Sequence, residues 1–248
     1  MAAISERTIA NVRVRFYEPH PDAGDAGLIY LHGGGWTLFS IDTHDRLMRE
    51  YASRAGLTVA GVDYPLSPES KFPLALEQIV AVARALRGHY ARLAIGGDSA
   101  GANLAIGVAM QAPIFDALLL NYGVFERYSS NEARERFGGP GNMLTADEME
   151  GFWRNYLRDE RDVENPLVCP MRGDLRGLPP VLLVVAECDL LSEQSFHLAE
   201  RLGEAGVGAE LRLYRGAAHS FLEAVSISPL ADRALEESSL WLRDRLAG

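Results

Sequence analysis

At 248 residues, with 48% apolar and 23% charged side chains, the chain can bury a substantial core, and residues 1–248 are expected to form one α/β layered domain. A formal net charge of −10 has the wrong sign for a nucleic-acid or anionic-membrane partner, because both require a basic patch. Two cysteines, Cys169 and Cys188, are too few for a disulfide framework, and no Cys/His spacing suggests a metal site.

Met1 to Arg15 lacks the charged start and continuous apolar run of a signal peptide, and no stretch approaches the length of a membrane span, so a cytoplasmic location is expected. Asn11 to Glu18 alternates Val12, Val14 and Phe16 against Arg13 and Arg15, which predicts an early strand ahead of a parallel core. Leu28 to Leu31 is a short apolar strand that runs into His32-Gly33-Gly34-Gly35-Trp36. Three consecutive glycines cost conformational entropy that a plain connection would avoid. A loop with so little side-chain cover can turn backbone N–H groups into a cavity, as an oxyanion hole requires. His32 is read as a brace for that loop. Leu57 to Val62 predicts a buried strand leading to Asp63, and Pro73 suits the first turn of a helix reaching towards Arg87.

Gly97-Asp98-Ser99-Ala100-Gly101 is the most informative stretch. Arg92 to Ile95 reads as the end of a strand and Ala102 onward as a helix, which puts Ser99 on a strand-to-helix turn. Such a turn strains its central residue and brings chain close on both sides, so the positions two before and two after must lack bulk. Gly97 and Gly101 meet that demand. The glycine loop upstream, with the N–H of Ala100 after the serine, would complete an oxyanion site. Phe115 to Leu120 predicts the next strand. From about Val124 to Glu164 the strand–helix alternation breaks. There Thr145 and Glu148 form a capping-box pattern, and Met149, Phe152, Trp153, Tyr156 and Leu157 make one helical stripe. That helix either docks on the core or forms a cap whose apolar face lines a pocket, and the two readings are compatible.

Val181 to Ala186 is the most strand-like run and ends in Glu187-Cys188-Asp189. An acid and then a histidine should follow a nucleophilic serine of this type. Asp189, on the loop, is preferred as the acid over Glu187. After a strand from Glu210 to Tyr214, His219 lies in a small-residue loop and is the candidate base. His20, His44, His89 and His197 read as surface or helix positions, and Cys188 as a small buried residue.

These motifs, with Asp63-Tyr64-Pro65-Leu66-Ser67-Pro68-Glu69 and Phe72-Pro73, resemble the hormone-sensitive-lipase-like branch of the α/β-hydrolase superfamily and its bacterial acetyl esterases. The resemblance runs from Leu28 to Phe221. It implies an α/β-hydrolase fold: a mostly parallel sheet, helices on both faces, and a small helical cap at about 124–164. It also implies a serine carboxylesterase for small short-acyl esters, with Ser99 as nucleophile, His219 as base, Asp189 as acid and oxyanion donors from Gly33, Gly34, Gly35 and Ala100. No metal or organic cofactor is implied, and a homodimer is compatible with the branch. The chain departs from the branch in three places. Asp189-Leu190-Leu191-Ser192-Glu193-Gln194 stands where D-P-L-x-D-E is common, Ser220 follows His219 in place of glycine, and the leader before Gly33 is shorter than in members with a full helical cap. An amidase or formamidase with the same triad is the alternative reading, followed by a lyase or a non-catalytic small-molecule receptor on this fold.

Overall fold

The structure is a computed structural model that describes residues 1–20 and 24–247; Pro21, Asp22, Ala23 and Gly248, within the expected domain span, lie outside the described residues. Among the described residues, eight strands form one sheet: β1 (Ala3–Ile9), β2 (Val12–Glu18), β3 (Ala26–Leu31), β4 (Thr58–Val62), β5 (Arg92–Asp98), β6 (Ala117–Asn121), β7 (Val181–Cys188) and β8 (Ala209–Ala218). Their spatial order is β1-β2-β4-β3-β5-β6-β7-β8. The pairs β1–β2 and β2–β4 are antiparallel, and every pair from β4–β3 to β7–β8 is parallel.

Seven helices connect or flank the described strands: α1 (Asp45–Ala55), α2 (Leu74–Arg87), α3 (Ala100–Gln111), α4 (Asn131–Phe137), α5 (Ala146–Tyr156), α6 (Ser192–Glu204) and α7 (Pro229–Leu246). The strand residues alternate between two cores, as the two-residue period of a strand requires. Ile29, Leu31, Ile95, Leu118, Leu120, Leu183 and Val185 pack on one face with α2, α3 and α6. Leu28, Tyr30, Ala94, Leu119, Leu182 and Val184 pack on the other with α1 and α7. Both faces of the central strands are therefore covered, which is why they read as continuous apolar runs rather than alternating ones. No described helix is long and apolar enough to cross a membrane.

The predicted strands are present with small shifts: the one expected over Phe115–Leu120 spans Ala117–Asn121, and the one expected over Glu210–Tyr214 extends to Ala218. β1 was not anticipated. It is an edge strand with no residue fully buried, so Ser5-Glu6-Arg7-Thr8 carries no apolar alternation. A tight turn with positive φ at both Ala10 and Asn11 joins it to β2.

The chain leaves β3 for β4 on one side and returns to β5 on the other. The C-terminal ends of β3 and β5 therefore flank a point where strand order reverses, the place where open α/β sheets bind ligands. The glycine loop follows β3 there, and Ser99 follows β5.

Candidate active site

Ser99 sits between β5 and α3 with φ +53° and ψ −118°, a region that costs a non-glycine residue about 1–3 kcal/mol. The turn is over-determined by its neighbours. Ser99 N donates to Asn121 O at 2.9 Å, and Ser99 O accepts from Ala102 N at 3.1 Å and Asn103 N at 3.2 Å. A Cβ on Gly97 or Gly101 would strike the Leu31 carbonyl, so both positions demand glycine for close approach. Ala100 opens α3, whose N-terminal amides and dipole favour negative charge beside Ser99.

His219 follows β8, and the αL conformation of Ser220 (φ +59°) turns the chain back towards the sheet end. A positive φ here explains why glycine would suit this position; serine tolerates it. His219 Nε2 lies 3.0 Å from Ser99 Oγ, and Nδ1 lies 2.7 Å from Asp189 Oδ2. A carboxylate accepts, so Nδ1 carries a proton, and Nε2 of the neutral ring is left to accept from the serine. The other Asp189 oxygen accepts from Leu191 N at 3.0 Å. Burial pushes the His219 imidazole down, and the Asp189 carboxylate more than reverses that, holding it above its ordinary value. Glu187, the rival acid, instead accepts from Gly216 N at 2.8 Å. The Tyr122 ring meets the His219 ring edge-on at 5.2 Å.

In the glycine loop, Gly34 has φ +115° and Gly35 has φ +58°. Its carbonyls are all occupied: Gly33 O by His32 Nδ1 at 2.7 Å, Gly34 O by Leu38 N at 2.8 Å, and Gly35 O by Thr37 Oγ1 at 3.0 Å. Among the described residues no acceptor takes the N–H of Gly33, Gly34 or Gly35. The loop thus presents free donors at the end of β3. His32 braces it as expected: its ring stacks on Tyr64 at 4.4 Å, and burial lowers it to about 4, which keeps it neutral.

A cavity of about 290 Å³ opens over Ser99 and His219, bordered by Gly34, Gly35, Met149, Phe152 and Glu223 among others. The capping box on α5 is present, and it sets the stripe of that helix. The stripe then divides. Met149 and Phe152 face the cavity, whereas Trp153 and Tyr156 are buried away from it against Trp36, at 4.6 and 4.3 Å between ring centres. The two readings of this helix therefore hold together: its earlier stripe residues line the cavity, and those a turn further on dock against Trp36. Trp36 immediately follows Gly35, so this aromatic stack anchors the glycine loop.

The reading of His44 is corrected. It is 4% exposed, not a surface position, and its Nε2 lies 3.3 Å from Asp98 Oδ2 and 3.6 Å from Glu223 Oε1. The other Asp98 oxygen accepts from Tyr30 OH at 3.0 Å. Burial disfavours the His44 charge, yet Asp98 and Glu223 raise its affinity for a proton above the ordinary value. His20, His89 and His197 are exposed, as read from sequence. Cys188 is half-buried rather than buried, because β7 leaves its regular pairing with β8 between Ala186 and Cys188. His44, Asp98 and Glu223 carried no signal of their own, since nothing in the spacing of Thr43-His44-Asp45 or Leu222-Glu223-Ala224 marks a shared site. The one clue was a carboxylate at Asp98 inside a buried turn, which must find a partner somewhere.

The departures after Asp189 also have structural partners. Gln194 Oε1 accepts from Phe125 N at 2.7 Å and Glu126 N at 2.9 Å, and Glu193 Oε2 accepts from Ser130 Oγ at 2.6 Å. Both tie the start of α6 to the segment that leads into α4.

Residues 28–223 match a family described by the α/β hydrolase fold. The chain is 36% identical, over 95% of its own length and 77% of the relative's, to an acetyl esterase of Salmonella paratyphi B. Among solved structures, it superposes on a hyperthermophilic esterase from the archaeon Pyrobaculum calidifontis with a TM-score of 0.94 at 32% identity, covering 98% of this chain and 83% of that one. A thermostable esterase from Pseudomonas putida gives a TM-score of 0.94 at 30% identity, covering 99% of this chain and 84% of that one.

Proposed function

The chain belongs to the α/β-hydrolase family, in the branch that holds acetyl esterases, and is a carboxylic ester hydrolase; from that premise we propose that it cleaves small, short-acyl esters through Ser99, His219 and Asp189. Ser99 Oγ attacks the ester carbonyl carbon while His219 Nε2 takes its proton, and Asp189 holds the imidazole and offsets its positive charge. The tetrahedral oxyanion is met by N–H groups of the Gly33–Gly35 loop and of Ala100, donors already in place before the charge develops. His219 returns the proton to the leaving oxygen, alcohol departs, and water attacks the acyl-Ser99 carbon by the same route to release the acid and restore Ser99.

The observation that carries this reading is the continuous line from Asp189 Oδ2 through His219 to Ser99 Oγ, with spacings of 2.7 and 3.0 Å, in a cavity that Gly34 and Gly35 also line. The short-acyl preference is supported by the cavity: at about 290 Å³ it falls at the lower edge of the range for small-molecule sites. Residues 124–164 act as a cap in this account, with Phe152 over Gly35 as the stop for the acyl chain. An amidase reading shares the same chemistry and differs only in the leaving group. Turnover of p-nitrophenyl esters from acetate to decanoate, beside the matching anilides, tests the proposal; anilides cleaved faster than esters would reverse the assignment.

A further inference from the structure

The walls of the cavity come from opposite sides of the sheet and differ in chemistry. Leu144, Met149 and Phe152 belong with the core packed against α2 and α3. His44 and Glu223 come instead from the start of α1 and from the short turn Phe221–Ala224, elements that pack with α7 on the other face. The cavity is thus apolar on one side and polar on the other.

Three carboxylates border it, and two are already engaged. Glu148 accepts from Thr145 N at 2.8 Å in the capping box, and Asp98 accepts from Tyr30 OH and faces His44. Glu223 differs. Its side chain is 38% exposed, and among the described residues its one cationic neighbour is His44 Nε2 at 3.6 Å. Thr43 Oγ1 lies 2.8 Å from Ser40 O and 3.0 Å from His44 Nδ1, while His44 Nε2 faces two carboxylates. Nε2, between two carboxylates, is a donor, and the charges of Asp98 and Glu223 favour the protonated ring. The polar wall therefore offers a carboxylate with spare capacity; burial pushes its affinity for a proton up, and His44 beside it opposes that shift.

Position decides what this acceptor meets. In the mechanism above, on which this inference rests, His219 must hand its proton to the leaving oxygen, so the alcohol portion lies on the His219 side of Ser99. Glu223 stands one turn beyond His219, with Glu223 N bonded to Ser220 O at 3.1 Å. We propose that the His44–Glu223 wall is the leaving-group subsite and that it recognises hydroxyl groups, which makes short-acyl esters of small polyols the preferred substrate class. A hydroxyl beside the ester would donate to the Glu223 carboxylate in a charge-assisted bond, whereas an alkyl alcohol would strip water from that carboxylate and return nothing.

The test compares kcat/KM for glyceryl monoacetate and propyl acetate, which share an acyl group and a three-carbon alcohol, in the wild type, Glu223→Met and Glu223→Gln. The wild type should prefer the glyceryl ester by about tenfold or more, the value expected of one hydrogen bond to a charged group. Glu223→Met, close in shape but without an acceptor, should bring the ratio near one, and Glu223→Gln, which keeps a carbonyl oxygen, should fall between. A wild-type ratio near one, or an unchanged ratio in Glu223→Met, overturns the subsite while leaving the Ser99 mechanism standing. If the methionine variant does not fold, the wild-type ratio and the glutamine variant decide. Failure of the wild type to cleave either ester would instead sink the esterase mechanism, and this inference with it.

Discussion

The carboxylate of Asp98 fills the space that a side chain on Gly33 would need. The residue before Ser99 is therefore in contact with the first glycine of the Gly33–Gly35 loop, and the elbow and the loop hold each other in register. Gly33→Ala should push the two apart and lower kcat on p-nitrophenyl acetate by roughly 10²-fold or more, the loss typical of a displaced oxyanion donor. A folded Gly33→Ala enzyme within threefold of wild type would show that this contact does not position the loop.

Replacing the acid should separate the two candidates on β7 and its loop. Asp189→Asn leaves the geometry but favours the wrong tautomer of His219, and kcat should fall by on the order of 10⁴. Glu187 holds only Gly216 N, so Glu187→Gln should change kcat by no more than a few fold. The reverse ranking in two folded variants would assign the role to the other carboxylate.

The pH profile of kcat/KM follows from the His219 environment. The neutral ring is the base, and Asp189 stabilises the protonated ring, so activity should be lost as pH falls through a midpoint above the ordinary imidazole value of 6.5. Removing that carboxylate leaves burial opposed only by the smaller pull of Asp98, so the residual activity of Asp189→Asn should show its midpoint displaced to lower pH. A profile flat from pH 5 to 9 would contradict a histidine base.

Phe152 and Trp153 are adjacent in sequence and should behave oppositely. On p-nitrophenyl esters, kcat/KM should peak at two to four acyl carbons and fall by at least about tenfold by ten, a difference of roughly 1.4 kcal/mol in transition-state binding. Phe152→Ala removes the ring over Gly35 and should flatten that decline. Trp153 is fully buried against Trp36, so Trp153→Ala should cost about 3–5 kcal/mol of stability, read by denaturant unfolding. A series that keeps rising to decanoate in the wild type would remove Phe152 as the acyl stop.

These contrasts mark where sequence reasoning reaches and where it ends. The meeting of Ser99, Asp189 and His219 was legible because the first two follow strongly apolar strands and the third lies in a small-residue loop after the last strand, and strand ends are what a parallel sheet gathers together. Gly97 and Gly101 were legible because close backbone approach admits no other residue. β1 was not, since an exposed edge strand has no buried face to impose a pattern. The division between Phe152 and Trp153 was not either, because one helical stripe covers two sectors and only the position of Trp36 says which is filled. His44 reaches Asp98 across 54 positions of sequence, a pairing made by the packing of α1 on the sheet and written in no local motif.

The central claim is that Ser99 carries the acyl group. The most direct measurement is labelling with a fluorophosphonate probe, located by peptide mass spectrometry, alongside kcat of Ser99→Ala on p-nitrophenyl acetate. The account predicts a single adduct on the peptide containing Ser99, no labelling of the variant, and a loss of kcat of several orders of magnitude, up to about 10⁶. An adduct on another residue, or a folded Ser99→Ala enzyme retaining more than about a tenth of wild-type kcat, where loss of a triad member costs far more, would contradict it.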